Sequence, residues 1–290
     1  MTLSNTSVII SGASQGFGFA AAKQFLQEGA SVTICARTAD DLYRAEQALK
    51  QFTNDPHKII AKIIDVSKID QVESLISAAL STFGKIDVLV ANAGIYGTKG
   101  PIEEIDWQAW SDAIDINLKG TVLQCRAVLP HFKAKKAGKI IILSGGGATK
   151  PMPFLSAYAA SKAAVVRFAE TLAEEVKSFH IDVNTIAPGA LNTRLLDEIL
   201  SAGPEKVGTA FYEQSLKQSK QGGTSLEIAA KLCTFLASFH SQGITGKLIS
   251  AVWDPWEKLP HYLNELKNTD IYTLRRIIPS DRGQHWDDIE

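Results

Sequence analysis

Cysteine is scarce in this chain: Cys35, Cys125 and Cys233 are an odd set of three without metal-ligand spacing. That excludes a disulfide framework and a thiolate metal site. Because two of the three lie in strongly apolar stretches, they read as buried thiols of a reducing compartment. A surplus of charge of one sign is also lacking. Thirty Lys and Arg offset 31 Asp and Glu, giving a formal net charge of −1 without clustering, so the electrostatic term behind nucleic-acid and anionic-membrane binding is missing. No apolar run approaches the ~20 residues of a membrane span. The early run Val8–Ile10 lacks the cationic flank, long apolar core and cleavage pattern of a secretory leader. The expectation is a cytoplasmic protein with a small-molecule partner, no nucleic acid and no membrane. Internal repeats and low-complexity linkers are absent too.

What is present is an ordinary globular composition, 45% apolar and 21% charged, over a length that one α/β sheet and its helices can fill. Short β-branched runs alternate with segments of helical period, which argues for βαβ units and a parallel sheet. Candidate strands are Val8–Ile10, Val32–Cys35, Ile59–Ile64, Val88–Val90, Ile140–Leu143, Val183–Ile186 and Leu248–Ser250. Candidate helices are Phe17–Gln27, Asp40–Phe52, Gln71–Phe83, Trp107–Lys133, Ala157–Ser178 and Leu226–Ser238. Together they predict a doubly wound, Rossmann-type seven-stranded parallel sheet with helices on both faces, in a single domain of residues 1–250. From Ala251 to Glu290 the character changes to a C-terminal extension. Its three tryptophans, and Ile271, Leu274 and Ile277, call for apolar cover on the domain or on a neighbouring subunit.

After the first strand come Gly12, Ala13, Ser14, Gln15, Gly16, Phe17 and Gly18. Glycines at these points allow a tight turn and close backbone approach, and the following helix presents unpaired N–H groups to a pyrophosphate. Taken alone, the turn fits a plain tight turn equally well. Arg37, followed by Thr38, ends the second strand where many dinucleotide folds carry an acidic residue for the ribose 2′-hydroxyl. An Arg there accepts a 2′-phosphate, or is simply a solvated strand-end residue. Asp65 and Val66 close the third strand, and Asn92, Ala93 and Gly94 close the fourth, on the edge where ligands bind. Tyr158 and Lys162 stand four apart in a helical pattern, so phenol and ammonium share one face and can act on one ligand. A tyrosine keeps its proton to pH ~10, so a fixed cation beside it would be needed to bring its pKa into use.

In content, order and spacing, these motifs together with Asn117, Pro188 and Gly189 resemble the compact, single-domain branch of the short-chain dehydrogenases/reductases, 3-oxoacyl-ACP reductase-like members among them. The resemblance runs from Val8 to about Ser250. It implies an NAD(P)(H)-dependent oxidoreductase that interconverts a carbonyl and an alcohol, with NADP as the preferred cofactor and NAD as the other possibility. Tyr158 would be the acid/base, and Lys162 would hold the nicotinamide ribose and lower the phenol's pKa. Asn117 would anchor a water leading to Lys162. The turn from Gly12 to Gly18 would take the pyrophosphate, Asp65 and Val66 the adenine, Asn92, Ala93 and Gly94 the ribose. Pro188, Gly189, Leu191 and Thr193 would surround the carboxamide, with a substrate lid over Asn192–Gly223. The helices Trp107–Lys133 and Ala157–Ser178 would pack against partner subunits in a homodimer or homotetramer.

One departure stands out. The family's substrate-orienting serine lies thirteen residues before the tyrosine, which here is Gly145. Ser144 would take the role if the glycine-rich loop adjusts; Ser156, or no serine, are the alternatives. A non-catalytic dinucleotide-binding sensor or scaffold is the competing reading.

Overall fold

A computed structural model of the chain describes residues 3–284 and 286. All seven candidate strands are present: β1 (Ser7–Ser11), β2 (Ser31–Ala36), β3 (Ile59–Ile63), β4 (Val88–Ala91), β5 (Gly138–Leu143), β6 (Ile181–Ala187) and β7 (Lys247–Ser250). They form one parallel sheet in the order β3-β2-β1-β4-β5-β6-β7. The period of two along each strand divides the core between the faces. On β1, Val8 and Ile10 enter one cluster with Phe25, Leu42 and Leu232. Ile9 between them enters the other, with Leu75, Ile86 and Phe132. Helices α1 (Gly16–Gln27), α2 (Ala39–Lys50) and α10 (Leu226–Ala237) cover the first face, and α3 (Ile69–Phe83), α5 (Gly120–Lys135) and α6 (Ser156–Val176) the second. The strand order reverses between β1 and β4, which opens a crevice at their carboxyl ends.

One expectation needs correction. The helix expected over Trp107–Lys133 is divided into α4 (Trp107–Ile114) and α5 by a π-helical turn, Asp115–Lys119. The wider turn brings Ile116 and Asn117 inward together. Gly120 follows it at a close crossing, where a Cβ would lie 2.8 Å from Val66 Cγ2. The segment expected as a lid is helical: α7 (Arg194–Ala202), α8 (Pro204–Val207) and α9 (Thr209–Gln221). Its neck is closed by a bridge between Leu191 and Thr224 and by the Thr224 N–H bonded to the Ala190 carbonyl at 2.8 Å.

The tryptophans of the extension do not all find cover on the domain. Trp256 is 9% exposed, with its ring 5.3 Å from Phe235, and it joins Leu259 and Leu266 in the core over α10. Trp253 is 84% exposed and Trp286 66%, and Ile271 and Ile277 are exposed as well. The extension also closes the edge of the sheet. Tyr272 O takes the outward Leu248 N–H at 2.8 Å and Asp254 Oδ2 the Ser250 N–H at 2.6 Å, and Lys247 Nζ bonds the carbonyls of Thr269 and Ile271. Within the polar end Ser280–Glu290, residues 285 and 287–290 lie outside the described residues. The helix α11 (Leu263–Asn268) completes this layer.

Candidate active site

A cavity of about 780 Å³ opens along the carboxyl ends of β1, β2, β4, β5 and β6, where strand-end turns leave backbone groups free. Its first wall is the β1–α1 turn, with Gly12, Ser14, Gln15, Gly16 and Phe17. Gly12 has φ +63°, and a Cβ on it would lie 2.9 Å from Ala93 Cα. Gly18 is not in the wall. A Cβ there would fall 2.4 Å from Gly12 O, so this glycine lets α1 pack against its own turn. Asn92 clamps the turn, its Nδ2 donating to Ser11 O at 2.8 Å and Gly12 O at 3.0 Å. The first amides of α1 therefore face the cavity from a fixed backbone.

Arg37 and Thr38 line the outer end beside Ala36, and Val66 and Ile64 stand across from them. Asp65 is outside the wall. Burial opposes its charge, but the N–H and hydroxyl of Ser67 and the Arg37 and Lys68 cations outweigh this and hold the carboxyl below its ordinary range. Its place is the β3–α3 turn, with an electrostatic hold on Arg37.

At the inner end, Tyr158 and Lys162 are both buried and both line the cavity, one turn apart on α6. Lys162 Nζ donates to Leu143 O at 2.7 Å and lies 5.7 Å from the Tyr158 ring centroid. The expected lowering of the phenol's pKa is not found in the chain alone. Burial pushes Tyr158 up and the neighbouring Tyr96 adds to it, while burial brings Lys162 down to about 8. A lysine so easily neutralised is a weak counterweight to desolvation.

Asn117 sits beneath the pair, but its carboxamide is engaged: Oδ1 accepts from Ile95 N–H at 2.8 Å, and Nδ2 donates to Ile95 O and to Ser161 Oγ, both at 2.9 Å. These contacts position the β4 loop against α6. Ser144 borders the cavity, yet its Oγ is buried without a hydrogen-bond partner. Gly145 is the residue against the phenol: a Cβ there would lie 2.4 Å from the Tyr158 oxygen. No hydrogen bond joins the Ser144 hydroxyl to Tyr158 among the described residues. Ser156 accepts from Trp110 Nε1 at 3.1 Å, away from the cavity. Ala93, Gly94, Pro188, Gly189, Leu191 and Thr193 all line the site. Sequence reasoning missed Tyr96, Met152 and Phe211 as further lining residues, and Trp253 of the extension borders the cavity as well.

The family model described as short chain dehydrogenase matches residues 6–203. This chain belongs to that family. Among its relatives, an uncharacterized oxidoreductase of Listeria monocytogenes is 36% identical over 216 residues, 74% of this chain and 86% of the relative. A glucose 1-dehydrogenase of Gluconobacter oxydans is 35% identical over 243 residues, 83% and 88% of the two chains. The crystal structure of levodione reductase aligns with TM-score 0.79 at 25% identity, over 89% of this chain and 98% of that one. The short-chain dehydrogenase described here is an NAD(P)-dependent oxidoreductase interconverting carbonyl and alcohol, in place of the sensor or scaffold alternative. Relatives of several activities share it, so likeness to 3-oxoacyl-ACP reductases is not singled out.

Proposed function

We propose that this enzyme works with NADP(H) on a small carbonyl or alcohol, with Tyr158 as the acid/base. The observation that carries this reading is the Tyr158 and Lys162 pair one turn apart at the inner end of a glycine-walled cavity. The cradle fits a dinucleotide: Gly12 and Gly16, both at positive φ, let backbone approach at the α1 amides, and a Cβ on Gly94 would come within 3.5 Å of Lys162 Nζ. Ser14, Gln15, Gly16 and Phe17 would hold the pyrophosphate, Val66 the adenine, Asn92, Ala93 and Gly94 the ribose side, and Pro188, Gly189, Leu191 and Thr193 the carboxamide. Arg37, exposed and without an ion pair among the described residues, would take the 2′-phosphate with Thr38. When bound, the cofactor supplies or receives hydride. Tyr158 passes a proton to the substrate oxygen in reduction and removes it in oxidation; Lys162 binds the ribose and, as a cation, opposes the phenolate's charge.

We further propose residues 1–250 as the catalytic domain with 251–290 packed on it, a homodimer or homotetramer formed through α4, α5 and α6, and a cytoplasmic setting in keeping with three free, buried thiols. No helix among the described residues is long and apolar enough to cross a membrane.

The test is a panel of aldehydes, ketones and alcohols assayed with both cofactors on wild type and Tyr158→Phe, with cofactor binding followed by calorimetry. Tyr158→Phe should lose about 10²–10⁴-fold in turnover and keep cofactor affinity. Full activity in the variant refutes the acid/base assignment, and tighter NAD(H) binding by wild type reverses the cofactor preference.

A further inference from the structure

Stabilising charge on a substrate oxygen at the reacting end is a task for hydroxyl donors. Tyr158 supplies one, but position 145 is glycine, Ser144 Oγ is buried, and Ser156 is held by Trp110. A developing alkoxide with a single donor loses stabilisation, because a donor already aimed at new charge in a water-poor site needs no reorganisation. Tyr96 is the hydroxyl-bearing ring packed against Tyr158. Its ring centroid is 4.6 Å from that of Tyr158 at 59°, it lines the same cavity, and its hydroxyl has no hydrogen-bond partner among the described residues.

Its backbone is fixed on both sides. Ile95 is bonded at N–H and C=O by Asn117, and Gly97, at φ +71°, approaches α4 so closely that a Cβ would lie 2.7 Å from Ala113 Cβ. The ring itself packs with Leu155 and Ile199, and Lys99 Nζ stands 5.6 Å from its centroid. Such fixing is what a preorganised donor requires. Burial, with Glu198 adding, pushes the phenol up to about 12, so Tyr96 keeps its proton at neutral pH.

We propose that Tyr96 is a second substrate-binding hydroxyl, holding the carbonyl oxygen beside Tyr158 in the role left vacant at Gly145. This rests on the oxidoreductase reading above. In reduction the carbonyl carbon accepts hydride from the reduced nicotinamide, the C=O π pair moves onto oxygen, and that oxygen takes the Tyr158 proton. Tyr96 donates a hydrogen bond throughout and keeps its own proton; the Tyr158 phenolate is reprotonated from solvent. Asn117 is then a positioning residue for Tyr96, through Ile95.

The experiment compares wild type, Tyr96→Phe and Ser144→Ala in steady-state reduction of 1-phenyl-1,2-propanedione and the rest of the carbonyl panel. NADP(H) affinity and melting temperature are measured on each protein. Tyr96→Phe keeps the ring and its packing, so the expected result is a loss of about 10²–10³-fold, mainly in kcat, with affinity and melting temperature unchanged. Wild-type rates in Tyr96→Phe, or a loss matched by equal loss of NADP(H) affinity, overturn the proposal. A loss of the same size in Ser144→Ala also overturns it and returns the role to Ser144. Failure of wild type on every carbonyl, with the cofactor bound, overturns the proposed function and this inference together.

Discussion

The Tyr158 hydroxyl occupies space that a side chain at 145 would need, so the glycine there is part of how the phenol is seated. Beside it, Lys162 is brought from an ordinary 10.5 to about 8 by burial. Below pH 8 the lysine is charged both folded and unfolded, and the fold bears the cost of burying that charge. Between 8 and about 10 the unfolded chain binds the proton and the folded chain does not, so stability rises with pH. Each pKa unit corresponds to about 1.4 kcal/mol. Above 10 the raised phenol of Tyr158 reverses the trend, since the folded state then keeps a proton that the unfolded state loses. Denaturant titration of the cofactor-free protein over this window should show stability rising in wild type relative to Lys162→Met. Parallel profiles would show that the ammonium is not desolvated. At this scale the sequence discloses residues whose chemistry depends on spacing along one element, and Tyr158 with Lys162 is the example. Tyr96 is not disclosed, because a lone aromatic after Asn92, Ala93 and Gly94 reads as a loop residue until the fold brings it to α6.

Among elements, strands were the most legible, since a β-branched run between helical segments has few other ways to be buried. Helix α6 was legible for its long periodic pattern. The π turn at Asp115–Lys119 was not, because its apolar spacing passes for a continuous helix; only its inward pair, Ile116 and Asn117, betrays the extra residue. Helices α7 and α9 were hidden by short, glycine-separated segments, with Gly203 and Gly208 at positive φ between them. In the β1–α1 unit, the glycine pattern signalled the turn without distinguishing a wall residue from a packing residue. Gly18→Ala places a methyl against Gly12 O and Asn92 Nδ2. It should cost about 1–3 kcal/mol, the range of overpacking, and weaken NADP(H) binding through a displaced turn, as read by urea unfolding and calorimetry. Unchanged affinity with lowered stability would separate the packing role from the binding one.

For the molecule as a whole, the extension joins sheet edge, core and cavity. Truncation after Ser250 removes Trp256 from Phe235 and frees the outward N–H groups of Leu248 and Ser250. Loss of a buried Trp alone costs about 3–5 kcal/mol, so the truncated chain should melt lower and self-associate on size-exclusion chromatography. Trp253→Ala, which removes a mostly exposed ring from the cavity wall, should melt as wild type and change only the preference within the carbonyl panel. A truncated protein as stable and monodisperse as wild type would refute the sealing role. The same edge closure bears on biosynthesis. The strand β7 is made before its cover: the acceptor for the Leu248 N–H, Tyr272 O, lies over twenty residues downstream, a delay on the order of seconds at ribosomal speed. In that interval the nascent sheet presents an uncapped border to other chains. Crowded synthesis, rather than heat, is therefore where a weakened tail would first lower the yield of this enzyme.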